Sequence, residues 1–210
     1  MAELAGGTFA MGAAERRVTV ARFCLDRTEV TVAAYARCVQ HGRCTPGDTG
    51  ETCNTGLAGR GDHPINCVTW AQAESYCGGE GKRLPTEQEW EWAARGGARG
   101  SRYPWGADEP GAAVCWNGEG NALGHGNRHG TCPAAASAGD RTPSGVSDLA
   151  GNVAEWTATR YGPREQEPPF GRVFRGGNWQ SYGPGELQAT ERSEERWAVI
   201  MDRIGFRCAR

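Results

Sequence analysis

The sequence predicts a mixed α+β fold of short strands and a few helices joined by much irregular chain. Three observations predict it. Glycine supplies 32 of 210 residues, about twice its usual share, which argues for turns and irregular connections rather than a helical bundle. Threonine-capped stretches with helical spacing recur before residue 98. Brief β-branched and aromatic runs stand among glycines at both ends of the chain.

Taken in order, "GTFAMG" and "RVTVARFCL" read as strands. "TVAAYARCVQHG" reads as a helix capped by Thr31 and stopped by Gly42. Residues 43–64, dense in Gly, Pro, Asp, Asn and Thr, read as a loop pinned by cysteines. A second helix follows Thr69, with Trp70, Ala73 and Cys77 as a stripe and Gly78-Gly79 at its end. In "PTEQEWEWAARGG", Thr86 and Glu89 form a T-x-x-E capping box, Trp90, Ala93 and Ala94 share a face, and Gly96-Gly97 closes the helix. Beyond residue 98 no long helical period recurs, and "RVFRGG", "LQATERS" and "IGFRCAR" read as strands. No internal repeat or linker divides the chain, so we expect one domain over residues 1–210, long enough to bury a core.

Several function classes are disfavoured by composition. A net charge of −2 and a pI near 6.1 leave no basic footprint for nucleic acid. Eight tryptophans argue against disorder, because such rings need a core or a binding surface. No apolar run approaches a membrane span, and "MAELAGGTFAMG" has no signal-peptide h-region. No Ser-His-Asp set, P-loop or dinucleotide fingerprint is present.

Nine cysteines dominate the composition: Cys24, Cys38, Cys44, Cys53, Cys67, Cys77, Cys115, Cys132 and Cys208. None makes a CxxC and no Cys/His set has zinc-finger spacing, so disulfides in an oxidising, extracytoplasmic-type compartment are expected, with one thiol left by the odd count. His125 and His129 in "HGNRH" stand in glycine-rich chain that denies them a shared helix face, which points to a solvated loop rather than a metal pair. His63 in "DHP" reads as a structural contact at the end of a loop.

Two carboxylates, Asp148 and Glu155, flank the Gly-Asn turn of "SDLAGNVAEW", where carbonyls can also point inward. That is the oxygen-rich chemistry Ca²⁺ selects. The alternative is a tight turn entering a strand, with Glu155 bonded to backbone N–H groups.

"GTFAMG", "LDRTEVTVAAYARCV", "HPINCVTWAQAESYC", "GKRLPTEQEWEWAARGG", "YPWG", "GVSDLAGNVAEW", "RVFRGGNW" and "IGFRCAR" occur in that order along the whole chain. Together they resemble the formylglycine-generating enzyme family, the sulfatase-modifying factor domain. The resemblance implies a variant of the C-type lectin fold, with two main helices packed on short twisted antiparallel sheets and much irregular loop. It implies structural calcium held by the side chains of Asp148 and Glu155 and the carbonyls of Gly151 and Val153. It also implies a Cys77–Cys208 bridge, closing about 130 residues and worth about 4–5 kcal/mol on the chain-entropy model. A second family bridge falls near Ala94 and Ala189, where both cysteines are missing together. Cys115 and Cys132 bracket a glycine-rich loop and are a natural pair; among Cys24, Cys38, Cys44, Cys53 and Cys67 one remains free and the sequence does not choose it.

In oxygen-dependent members of the family, two cysteines after the Gly-Gly turn bind copper and oxidise the cysteine of a "CxPxR" substrate. Here "NWQSYGPGELQATERS" places Ser181 near the first of them, and no thiol occurs from 133 to 207. A soft Cu(I) centre needs thiolates. No copper and no formylglycine formation are expected.

Two function classes remain. One is a non-catalytic module that presents Trp179, Ser181, Tyr182, Glu186 and Arg192 to a protein or small-molecule ligand. The other is an enzyme of the family with a different oxidative or maturation chemistry, although the iron-dependent relatives need a further helical domain for their ligands. The run Trp197, Val199, Ile200, Met201 is either an exposed partner site or a buried strand.

Overall fold

The computed structural model describes residues 1–118, 129–161 and 171–210. Among them the chain folds into strands β1 (Ala2–Leu4), β2 (Gly7–Met11), β3 (Arg16–Val20) and β4 (Phe23–Leu25), then helices α1 (Val32–Gln40), α2 (Trp70–Gly79) and α3 (Glu87–Ala94). Strands β5 (Ala154–Tyr161), β6 (Gly171–Arg175), β7 (Arg192–Arg196) and β8 (Ile204–Gly205) complete it. β1 pairs antiparallel with β4, and β2 with β3. The C-terminal sheet runs β7-β6-β5-β8, antiparallel except where β8 lies parallel to β5.

The helices begin where local chemistry starts them. Thr31, Thr69 and Thr86 each accept the N–H three residues on. Gln72 and Glu89 reach back to their caps, so α2 has a capping box as α3 does. Gly78 and Gly79 lie inside α2; the stop is Gly81, at φ +67°, past the cap residue Glu80. Among the described residues, three α-helices of eight to ten residues form, as the three threonine-capped stretches predict.

Strand expectations need correction in three places. "RVTVARFCL" splits between two separate sheets at Ala21-Arg22. "LQATERS" contributes only Arg192 and Ser193 to a strand, because Pro184–Leu187 forms a 3₁₀ turn and Gln188 accepts the turn that follows. "IGFRCAR" is a strand only at Ile204–Gly205, and Ala209 instead bridges Leu25 and Arg83.

Three apolar clusters make the core. α1 and α2 pack Tyr35, Tyr76 and Cys77 against Trp156, Phe174 and Phe206 of the C-terminal sheet region. α3 covers the N-terminal strands with Trp90, Trp92 and Ala93 against Phe9, Phe23 and Leu25. Tyr103, Val114, Trp116, Ala150 and Leu187 form the third. Burying a ring the size of Trp156 or Trp90, both fully enclosed, removes roughly 150–250 Å² from water and is a main driving force of the fold. Ala94 and Ala189, the positions without the second family bridge, are fully buried in the same cluster, so apolar packing stands where the bridge would.

Four disulfides are present: Cys38–Cys44, Cys53–Cys67, Cys77–Cys208 and Cys115–Cys132, leaving Cys24 of β4 as the free thiol. The first two pin the loop after α1. Among the described residues, no helix is long and apolar enough to cross a membrane.

Candidate functional site

The turn before β5 is held from below by Asp140. Its carboxylate accepts the N–H groups of Leu149, Ala150 and Gly151 at 3.3, 2.9 and 2.9 Å. Asp148 and Asn152 flank this turn at φ 57° and 64°, a left-handed conformation that Asp and Asn adopt more readily than most residues. Gly151 is fixed for a steric reason: a Cβ there would stand 2.5 Å from the Cys115 carbonyl oxygen. Burial, then the Asp148 charge, pushes the Asp140 carboxyl up to about 7 against the pull of its N–H donors.

Glu155 leaves this turn on β5 and is fully buried beside Arg207, which follows β8. Arg207 Nε lies 2.9 and 2.8 Å from the two Glu155 oxygens, Nη2 donates to Oε1 at 2.7 Å, and Trp90 Nε1 donates to Oε2 at 2.8 Å. Arg207 also donates to the carbonyls of Asp26, Ser147 and Asp148. The Arg207 side chain therefore stitches the chain before α1, the turn and β5 together.

This arrangement bears directly on the calcium set. Three N–H groups already hold the Glu155 carboxylate: Arg207 Nε–H, shared between both oxygens, Arg207 Nη2–H and Trp90 Nε1–H. Asp148 keeps Oδ1 buried and unbonded, as a ligand would, while Oδ2 accepts from Ala135 N. Asp148, Gly151, Val153 and Glu155 thus do not fit a cation as a unit, because Glu155 is committed to Arg207 and Trp90. Among the described residues, no group of three His, Cys, Asp or Glu side chains is placed to hold a metal.

The loop after β6 divides its residues between anchors and surface. Trp179 and Ser181 are buried, which corrects their assignment as ligand contacts. Trp179 donates its backbone N–H to Asn152 O and its ring N–H to Asp202 O. Ser181 accepts from Asn178 N through its hydroxyl and from Asn117 N and Gly118 N through its carbonyl. Glu186 is exposed, but its Oε1 accepts the N–H groups of Tyr182 and Gly183 and so closes the turn. Arg192 is partly exposed, paired with Glu87 at 2.8 Å and stacked over Tyr161. Tyr182, 52% exposed, is the free aromatic of the loop.

The run after β7 takes the exposed alternative. Trp197, on a turn, and Ile200, just past it, are 44% and 43% exposed, while Met201 packs against the core. Gln180 Nε2 reaches Asp202 at 3.2 Å, so this run and the loop at 178–182 are tied through one residue. Sequence spacing held no signal for that link.

His63 is a structural contact, as its place in "DHP" predicts. His63 is buried, with Nδ1 2.9 Å from Arg60 and 2.8 Å from Thr131 Oγ1. Arg60 can only donate, so Nδ1 accepts and the ring proton sits on Nε2. His129 is exposed, and His125 lies outside the described residues. One cavity, about 580 Å³, is lined by Gly6, Gly7, Trp92, Gly97, Arg99 and Ser144 among others, and includes none of the loop at 178–192.

Small antiparallel sheets, three short helices and a Gly-Gly turn feeding an exposed loop define an α+β domain of the formylglycine-generating enzyme type. The chain belongs to that family: the sulfatase-modifying factor enzyme 1-like domain matches residues 1–210. It is 38% identical over 163 residues to the inactive C-alpha-formylglycine-generating enzyme 2 of Bos taurus, covering 74% of this chain and 52% of that protein. It is 32% identical over 176 residues to the formylglycine-generating enzyme of Streptomyces coelicolor, covering 76% of this chain and 56% of that one. The chain thus spans about half the length of these relatives. Among solved structures, PvdO from Pseudomonas aeruginosa superposes with a TM-score of 0.79 at 24% identity, covering 99% of this chain and 92% of PvdO.

Proposed function

We propose that this domain is a non-catalytic binding module whose partner is a protein engaging the face around Tyr182, Trp197 and Ile200. The observation that carries the reading is the construction of the 178–187 loop. Trp179 and Ser181 anchor it from beneath, Glu186 closes its turn, and Asp202 ties it to the exposed run that holds Trp197 and Ile200. A loop ordered this way loses little entropy on binding, and exposed aromatics are the residues that dominate protein interfaces.

The chemical side agrees. Near the position that the resemblance gives to a copper-binding thiol stands Ser181, buried and bonded to Asn178 N, and the one free thiol belongs to β4. A relative at 38% identity carries the name inactive. The four disulfides suit an oxidising compartment. Affinity capture with the parent and with Tyr182→Ala and Trp197→Ala tests the reading. The variants should melt like the parent and retain less of the captured protein; undiminished capture by both places the interface elsewhere.

A further inference from the structure

The segment 66–70 carries the underside of the exposed run at 197–202. Trp70 N donates to Trp197 O at 3.2 Å, Cys67 N to Met201 O at 3.1 Å, and Asn66 Nδ2 to Asp202 O. Asp202 O also accepts the Trp179 ring N–H, so one carbonyl joins this segment, the run and the loop at 178–182. Asn66 is fully buried and is set from its other side by the loop before it. Its Nδ2 donates to Thr52 O at 2.8 Å, and its Oδ1 accepts Asn54 N at 2.7 Å. The Cys53–Cys67 bridge closes that loop and keeps residues 52–54 against Asn66.

Two features set this bridge apart. Cys67 is the one cysteine in the left-handed region, at φ 54°, which a residue with a Cβ rarely adopts. Such a conformation persists only where the surroundings impose it. Here they are the bridge, the Met201 carbonyl that Cys67 N reaches, and the Asp48 N–H that Cys67 O accepts. The second feature is access. A Cβ added to the exposed Gly50 would stand 3.5 Å from Cys53 Sγ, so the sulfur lies just under a residue that has no side chain to cover it. Cys38, Cys77 and Cys208 are buried in an apolar cluster with Cys44 packed against it, whereas Cys53 and Cys67 belong to no apolar cluster. Cys132 is partly exposed, but its bridge to Cys115 contains no left-handed residue.

We propose that the Cys53–Cys67 bridge is an exchange site for a dithiol, and that opening it releases the run at 197–202. One thiolate of the dithiol attacks Cys53 Sγ. The Cys53–Cys67 bond breaks, and Cys67 leaves as a thiolate that takes up a proton. The second thiol then displaces Cys53, so the cystine gains two electrons and two protons and the dithiol ends as a disulfide. Freed of the bridge, Cys67 leaves the left-handed region and withdraws its N–H from Met201 O, and residues 52–54 no longer fix Asn66 under Asp202. The consequence for a partner rests on the reading of Tyr182, Trp197 and Ile200 as a binding face; the exchange and the loosening do not.

The test is graded dithiothreitol under native conditions, quenched with iodoacetamide and read by peptide mapping, with hydrogen–deuterium exchange on the same samples. Cys53 and Cys67 should be alkylated before any other bridged cysteine. Amide exchange at 197–202 should then rise about tenfold, the factor that 1.4 kcal/mol of lost local stability gives. Gly50 does not hold a left-handed φ, so Gly50→Leu should fold, cover the sulfur and slow the alkylation of both cysteines severalfold. Cys53→Ser combined with Cys67→Ser should show the faster exchange without reductant, and Cys38→Ser combined with Cys44→Ser should not. Release of any other bridge first, or exchange at 197–202 unmoved once Cys53 and Cys67 are alkylated, overturns the proposal. If the Cys53/Cys67 serine variant does not fold, graded reduction of the parent and of Gly50→Leu decides by the same criteria. Neither readout uses a partner, so undiminished capture by Tyr182→Ala and Trp197→Ala would overturn the binding reading alone.

Discussion

Arg207 and Glu155, 52 residues apart, meet in the interior with both carboxylate oxygens within 2.9 Å of the guanidinium Nε. Trp90 donates to the same carboxylate, and Arg207 spends its remaining donors on three backbone carbonyls. A buried pair is weak evidence of net stability by itself, but breaking one strands a charge. Arg207→Met should therefore destabilise by about 3–5 kcal/mol, and Arg207→Lys should rescue little of it because one ammonium cannot span a carboxylate and three carbonyls. Urea titration followed by tryptophan fluorescence checks both; a loss under about 1 kcal/mol for Arg207→Met would show that the pair is not what fixes the turn.

Cys77 and Cys208 join α2 to the chain end across 131 residues. Replacing both with alanine should cost about 2–5 kcal/mol. In the folded, unreduced protein, Cys24 alone among the cysteines should take up iodoacetamide. Peptide mapping that finds Cys77 or Cys208 labelled contradicts the bridge.

Trp179 and Tyr182 are three residues apart and should behave as opposites. Trp179 is buried with its ring N–H bonded to Asp202 O, so Trp179→Ala should destabilise by about 3–5 kcal/mol. Tyr182 stands in solvent, and Tyr182→Ala should change stability by less than about 0.5 kcal/mol. Equal melting temperatures for the two variants would contradict the division of the loop into anchors and surface.

These contrasts mark where the sequence was legible. Helix starts could be read because Thr31, Thr69 and Thr86 act within three residues of themselves. The inward turn of Ser181 could not, since its partners Asn117 and Gly118 are more than sixty positions away in the chain. The division of "RVTVARFCL" between two sheets was likewise invisible, because each half has the same strand-like composition.

His63 gives the fold an acid-sensitive contact. Burial, then the Arg60 cation, lowers its pKa below the ordinary 6.5. The unfolded chain therefore binds this proton more tightly than the folded one. Stability from neutral His63 is fully present above pH 6.5 and is lost as pH falls through the lowered value. Melting temperatures from pH 7.5 to 5.5 should fall more steeply for the parent than for His63→Asn. Parallel slopes would remove His63 from the acid response.

The measurement closest to the central claim is mass spectrometry of a "CxPxR" peptide incubated with the protein under oxygen, with and without added copper. The segment 133–207 supplies no thiol, and Ser181 is buried against Asn178 N, so the peptide cysteine should remain unconverted in both conditions. Formation of the aldehyde, at any level above a no-protein control, would contradict the reading of this domain as a binding module.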